Sequence, residues 1–420
     1  MKKTMIHHRP RKLAATGVLA AALCSVAYSA DAPPESPPSV LQAIEKALAD
    51  GNSSVKTGVS AFFEDQNSAA NKGFVFGFIQ GDYQTKNYDG LSAGAGFVFA
   101  PEIWEDKSGD YDSKFSAPAK VRRLYLRYDF TDWDNTYLAG GRVGLADSPI
   151  THGDAGDGLT GSVGGPLPFT FTGTAITRWV HHAKASWDGH ISGTEQVKNF
   201  YPDAGDVFLN ANVEIPVRSG FTVTPSVAYQ QHVLAVYAAT AELVVPVETF
   251  GEGVRWRTEV IGAFHENEAT SSVTEANDFD SHASSGRIFT GLESNQGSIG
   301  VGAYALSDDK LNLDPGAFSH FDPLNDDDLF PFNDENDAQL FYTKGTYSLG
   351  SLDLEAHFGA GRNSSRDVSS DSYEVDLTAV YHFSKKLSLK IEYSTVQFEN
   401  QDVRDGGDYQ KGGGMLRYTF

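Results

Sequence analysis

The sequence predicts an all-β protein: a transmembrane antiparallel β-barrel with short periplasmic turns at one rim and long extracellular loops at the other. Three observations predict it. Segments of about ten residues alternate apolar and polar side chains with period two, the pattern of a strand with lipid on one face and water on the other. Glycine reaches 42 residues and aromatics 12%, yet past the amino-terminal leader no apolar run nears the roughly 20 residues that a spanning helix needs. The chain ends in Leu416, Tyr418 and Phe420 at alternate positions, an apolar edge on one face of a terminal strand. A chain that enters lipid without a spanning helix must close its backbone hydrogen bonds in a barrel.

Taken in order, residues 1–30 read as an export leader. Lys2, Lys3, Arg9, Arg11 and Lys12 form a positive region, Leu13 to Ala22 an apolar one, and Ser25-Val26-Ala27 a small-x-small cleavage site, with Ala30 as the alternative. Cys24, the single cysteine, lies inside this leader and follows Leu23 rather than a small residue, which argues against lipidation. The mature chain then has no disulfide, thiolate metal site or cysteine nucleophile. Without the five leader cations the balance is 28 basic to 55 acidic residues. Such acidity disfavours nucleic acid, whose binding depends on neutralising phosphates.

Residues 31–53 form a Pro-rich segment and one short helix, Ser39 to Asp50, with Leu41, Ile44 and Leu48 at helical spacing and Gly51 as its stop. The barrel is expected over 54–420. Its clearest strands lie late in the chain. Tyr373, Val375, Leu377, Ala379, Tyr381 and Phe383 share one face, while Glu374, Asp376, Thr378 and His382 share the other; Ser384-Lys385-Lys386 makes a tight turn. Leu387, Leu389, Ile391 and Tyr393 then alternate with Ser388, Lys390, Glu392 and Ser394, and Leu352, Leu354, Ala356 and Phe358 with Asp353, Glu355, His357 and Gly359. Along the chain seventeen strands can be marked. Bacterial single-chain barrels carry even numbers, so the expectation is 18, with 16 as the fallback and one strand unlocated. The long stretches Glu102–Lys120, Ala146–Gly173, His265–Ser285 and Ser307–Asp337 are expected to be extracellular loops.

The candidate lumen chemistry is basic. If Leu124, Leu126, Tyr128 and Phe130 face lipid, then Arg123, Tyr125 and Arg127 face the lumen; Arg142 lies among Gly140, Gly141 and Gly144, and Arg178 opens a later strand. A guanidinium stays charged and holds its donors in a rigid fork, so a column of them would guide anionic groups as charged rings do in pores. The plainer reading is that these arginines pair with neighbouring carboxylates in the wall.

The residues also carry a family resemblance. Ser39–Glu64, Ala70–Phe99, and above all Ala139-Gly140-Gly141-Arg142-Val143-Gly144 followed by Asp147-Ser148-Pro149-Ile150, resemble the corresponding segments of OprD-type porins of Gram-negative bacteria. Pro166-Leu167-Pro168-Phe169-Thr170-Phe171-Thr172-Gly173 resembles their proline, phenylalanine and glycine segment in an inward-folded third loop. The likeness covers the first half of the mature chain well and the rest through architecture. It implies an 18-stranded, monomeric to trimeric outer-membrane channel for small hydrophilic solutes or ions. Arg123, Arg127 and Arg142 would line the constriction, with Asp147 on the third loop, Ala146–Gly173, that narrows it. That loop departs from the family by holding Asp147, Asp154 and Asp157 but no arginine or lysine. The carboxy-terminal Leu416, Tyr418 and Phe420 resemble the signal by which barrels meet the assembly machinery.

No cofactor is expected. Ser307–Asp337 holds ten acidic residues and one lysine; Asp326, Asp327 and Asp328 within it are a weak calcium candidate without EF-hand spacing, against a solvated loop that gathers cations. His181 and His182 are adjacent in an expected strand and so face opposite ways, which argues against a joint metal site. The competing readings are a barrel enzyme, for which no Ser/His/acid arrangement stands out, and an exported soluble β protein that binds carbohydrate or surfaces.

Overall fold

The computed structural model describes residues 46–66, 72–106, 119–144, 155–165, 167–180, 194–196, 207–230, 234–267, 282–307, 337–365, 368–399 and 408–420. The leader, Asp147, Pro166, His181, His182 and the acidic stretch containing Asp326, Asp327 and Asp328 lie outside them. Of the expected amino-terminal helix, residues 46–49 are described and are helical.

Period-two patterning becomes strand after strand. The first are β1 (Asn52–Gln66), β2 (Lys72–Gln84), β3 (Leu91–Phe99), β4 (Glu102–Glu105), β5 (Ala119–Asp129), β6 (Tyr137–Gly144) and β7 (Ala155–Val163). There follow β8 (Thr170–Val180), β9 (Thr194–Gln196), β10 (Phe208–Arg218), β11 (Phe221–Gln230), β12 (Leu234–Pro246) and β13 (Arg255–Asn267). The series ends with β14 (His282–Ser294), β15 (Gly297–Ser307), β16 (Asp337–Leu349), β17 (Leu352–Ser365), β18 (Val368–His382), β19 (Leu387–Phe398) and β20 (Tyr409–Thr419).

These twenty segments make eighteen staves. Past Ala100-Pro101, β4 continues along β2 the pairing that β3 began; proline has no N–H to give the ladder, so the stave breaks there. Likewise β9 pairs with β8 beyond the point where β10 leaves it. Every pairing is antiparallel, and β20 closes on β1 from Lys56↔Thr419 to Gln66↔Tyr409. A ring in which direction alternates closes only on an even number, and the count is the expected 18 rather than 16. Phe420 N donates to Val55 O at 3.0 Å, so the chain's end lies beside the start of β1 at one rim.

The unlocated strand is β7. Ala146–Gly173 was expected to be loop throughout, but Ala155–Val163 pairs fully with β6 and β8, and Thr170 already belongs to β8. Its Ala-Gly-Asp-Gly-Leu-Thr-Gly-Ser-Val composition hides the alternation, because three glycines mark neither face. Steric fit explains two of them: a Cβ on Gly158 would lie 2.0 Å from the Ala175 carbonyl oxygen, and one on Gly156 2.5 Å from the Ile176 side chain. The barrel also begins at Asn52, two residues before the expected boundary. Strands β13 and β14 extend into the expected loop His265–Ser285, as far as Asn267 and back to His282.

The connections at the rim holding the chain's end are short. Asp89-Gly90, at φ 48° and 86°, forms the two-residue turn between Tyr88 and Leu91, as positive φ at both positions requires. Residues 219–220, 295–296 and 350–351 make equally tight links.

Side-chain distribution is inverted relative to a water-soluble sandwich. Phe341, 71% exposed, and Leu124, 61% exposed, are joined on the outer face by Phe63, Phe97, Leu126, Ile288, Ile299, Val301, Phe358, Leu377 and Ile391. The opposite face buries Ser60, Gln80, Thr160, Asn210, Asn212, His357 and Glu374. A continuous apolar band outside and polar groups inside is the arrangement lipid requires. None of the described helices is long and apolar enough to cross a membrane; the strands provide the crossing. One inner region is apolar: Phe62, Phe74, Phe76, Phe78, Val98, Ala100 and Met415 form a buried cluster on β1–β3 and β20.

The charged lumen wall as candidate functional site

Three arcs of ionised side chains face inward. The first stands on β5 and begins with a bulge. Gly96 pairs with Arg123 while Phe97 pairs with Val121, so Arg122 is an extra residue that turns inward with its neighbour. Its side chain, 5% exposed, donates to Asp82 at 2.9 and 3.1 Å. Arg123 and Tyr125 lie on the same face, opposite Gly96 and Gly94. A Cβ on Gly94 would sit 2.4 Å from the Tyr125 ring; glycine there lets the ring lie against the wall. Arg127 donates to Asp129 at 2.8 and 2.6 Å and covers the Tyr137 ring at 3.9 Å.

The second arc spans β12 to β14. Arg257 contacts Glu242 at 2.7 Å, Glu259 at 3.1 Å and Glu293 at 3.4 Å; Arg287 reaches Glu259 at 2.5 Å and Arg255 reaches Glu293 at 3.4 Å. Three arginines and three glutamates balance in a network in which each Arg257 nitrogen has its own carboxylate. Counted around the ring, β13 lies nine staves from β2, so this arc faces the Arg122–Asp82 pair across the lumen.

The third arc, on β16 to β19, is acidic. Lys344, His357, Asp376 and Ser394 form one cross-strand row, and Glu355, Thr378 and Glu392 the next. His357 Nε2 lies 2.9 Å from Glu355, its Nδ1 4.0 Å from Asp376, and Ser394 donates to Asp376 at 2.6 Å. Lys390 pairs with Glu392. With Glu374 beside them, four carboxylates face two lysines and one histidine.

Sequence reasoning placed Arg123, Tyr125 and Arg127 on the inner face, where they stand. It missed Arg122, which strict alternation assigns to lipid. The signal was the tandem Arg122-Arg123, since two successive charges cannot both avoid lipid in a regular strand. It also placed Arg142 and Arg178 in the lumen, and the register corrects this. Leu124 pairs with Arg142, Arg142 with Asp157, and Asp157 with Arg178 across a second bulge. Directly paired residues point to the same side of a sheet, so the row shares the outer face with Leu124. Leu416, Tyr418 and Phe420 stand exposed on that face at the opposite rim, with the last two rings in edge contact at 4.9 Å. Among the described residues no group of histidine, cysteine and carboxylate ligands could hold a metal.

A closed eighteen-stave membrane barrel with an ionised lumen is thus the class of protein that fold and wall define. No protein-family model matches the sequence, and no curated protein matches it either. Solved structures do. Pseudomonas aeruginosa OccK3 (OpdO) superposes with a TM-score of 0.66 at 14% identity over 90% of this chain and 98% of that one. P. aeruginosa OccK8 (OprE) gives 0.67 at 11% over 89% and 98%, and Acinetobacter baumannii OccAB4 gives 0.65 at 11% over 88% and 98%. This chain has the fold of those proteins; at such identities the likeness is one of fold.

Proposed function

We propose that the chain is an OprD-like outer-membrane porin through which small hydrophilic solutes or ions diffuse passively. The observation that carries this reading is the closed ring of staves with apolar side chains outside and ionised ones inside. Such a cylinder offers lipid a hydrocarbon surface and offers water a charged path. The leader supplies export, and Leu416, Tyr418 and Phe420 supply the docking end for barrel assembly into the outer membrane of a Gram-negative cell.

Within the lumen, Arg123, Tyr125 and Arg127, now joined by Arg122, form the basic side of the path. The third arc forms the acidic side, five to eight staves from β5 by the shorter way round the ring. A solute carrying both charges would orient between them. Asp147, in the segment between β6 and β7, is kept as a candidate for solute guidance. A homotrimer fits this class of channel equally with a monomer. Liposome swelling over a panel of amino acids, sugars and organic acids tests the proposal: purified, folded protein should accelerate swelling, most for small zwitterions. Folded protein that leaves all rates at the protein-free level would overturn it.

A further inference from the structure

Three charged residues on the outer face have no part in the lumen. Arg142 donates through Nε and Nη2 to Asp157 at 2.7 and 3.0 Å, and through Nη1 to the Val121 carbonyl at 2.7 Å. Arg178 approaches the same carboxylate at 3.8 Å and remains 47% exposed. Each of the three sits two residues from the strand end at the rim opposite the chain's end: Gly144 closes β6, Ala155 opens β7 and Val180 closes β8. Leu124 continues the row on β5, and toward the middle of the barrel the outer face turns to hydrocarbon, with Leu126, Leu138 and Leu159 all exposed.

Charge on the lipid face is costly at the bilayer midplane and far less so near the interface. A row this close to the rim therefore belongs at headgroup depth. Two guanidiniums and one carboxylate leave one positive charge. Asp157 holds Arg142 flat against the wall, and Arg178 keeps donors directed outward beside a surface that suits acyl chains. Guanidinium is the group that binds phosphate through paired hydrogen bonds.

We propose that the Arg142–Asp157–Arg178 row binds the phosphate of an anionic outer-leaflet glycolipid, with Arg178 making the direct contact. The proposal rests on the outer-membrane reading above. Its test is calorimetric titration of the folded barrel, in zwitterionic detergent, with lipid A and with its dephosphorylated form. Lipid A should bind about tenfold more tightly than the dephosphorylated lipid, as expected when a charge-assisted hydrogen bond is lost. Arg178→Gln should erase that difference, Arg178→Lys should restore part of it, and single-channel conductance should stay unchanged in both. Inorganic phosphate should compete only at far higher concentration. Equal affinity for the two lipids, or a preference that survives in Arg178→Gln, would overturn the proposal. So would a lipid-independent assembly of several chains that Arg178→Gln dissociates, which would assign the row to self-contact. Phosphate-dependent binding by a barrel that does not conduct would uphold this site while removing the channel function.

Discussion

At the scale of single residues, the Arg122–Asp82 pair shows how the wall is held. Arg122 is buried in the bulge and Asp82 takes both of its hydrogen bonds. Removing one partner strands the other, which costs about 1–3 kcal/mol; removing both costs less. Denaturant unfolding of folded protein should therefore rank Arg122→Gln and Asp82→Asn each below the double variant, and additive losses would contradict the pairing. Arg127 and Arg142 offer a second contrast. A unit charge about 10 Å from the pore axis contributes about 0.4 kcal/mol in water, a factor of about two in ion preference. Arg127→Ala should shift the reversal potential toward cation selectivity by about that factor, while Arg142→Ala, on the outer face, should leave it in place. Equal shifts in both would return Arg142 to the lumen. Sequence alternation could assign Arg123, Tyr125 and Arg127 because no bulge intervenes after residue 123. It could not assign Arg122 or Arg178, because a bulge changes the face of every later residue in its strand, and bulges are set by pairing partners far away in the chain; no register shift interrupts β6, where Gly140, Gly141 and Gly144 around Arg142 leave few side chains to mark a face.

At the scale of elements, legibility followed the side chains available to mark a face. Strands β17, β18 and β19 carry a large apolar residue at nearly every second position, and all three were visible in the sequence. In β7, glycine at 156, 158 and 161 removes that marking, so a strand read as loop. The glycines answer to the neighbouring strand, whose backbone comes within 2.0 Å of a Cβ at Gly158. Gly158→Val should break the β7–β8 pairing, at a cost of about 1–3 kcal/mol for overpacking, and lower the temperature at which the barrel loses its resistance to detergent. An unchanged melting temperature would show that the bulge has room to spare. Just past β20, Phe420→Ala removes an exposed ring that meets the Tyr418 ring edge-on, while the backbone bond from Phe420 N to Val55 O is kept. Folding into detergent should change little, whereas the yield of assembled protein in cells should fall several-fold. Equal yields would remove Phe420 from the assembly signal.

At the scale of the whole molecule, the parity of the ring and its closure were legible. Alternating direction forces an even count, and the carboxy-terminal strand bears the outward apolar edge that closes on β1. The arrangement of charge across the lumen was not. Glu355, Asp376 and Glu392 were each placed on a polar face, yet only the register brings them into one arc, and only the order of staves sets the Arg257 network opposite Arg122. The resulting cylinder has a lipid-compatible exterior around an interior whose wall carries ionised groups of both signs. Planar-bilayer recording tests this most directly. Folded protein added to one chamber should produce discrete, uniform current steps whose reversal potential moves with Arg127→Ala. Barrels that insert, shown by protease protection, and yet pass no current would contradict the account.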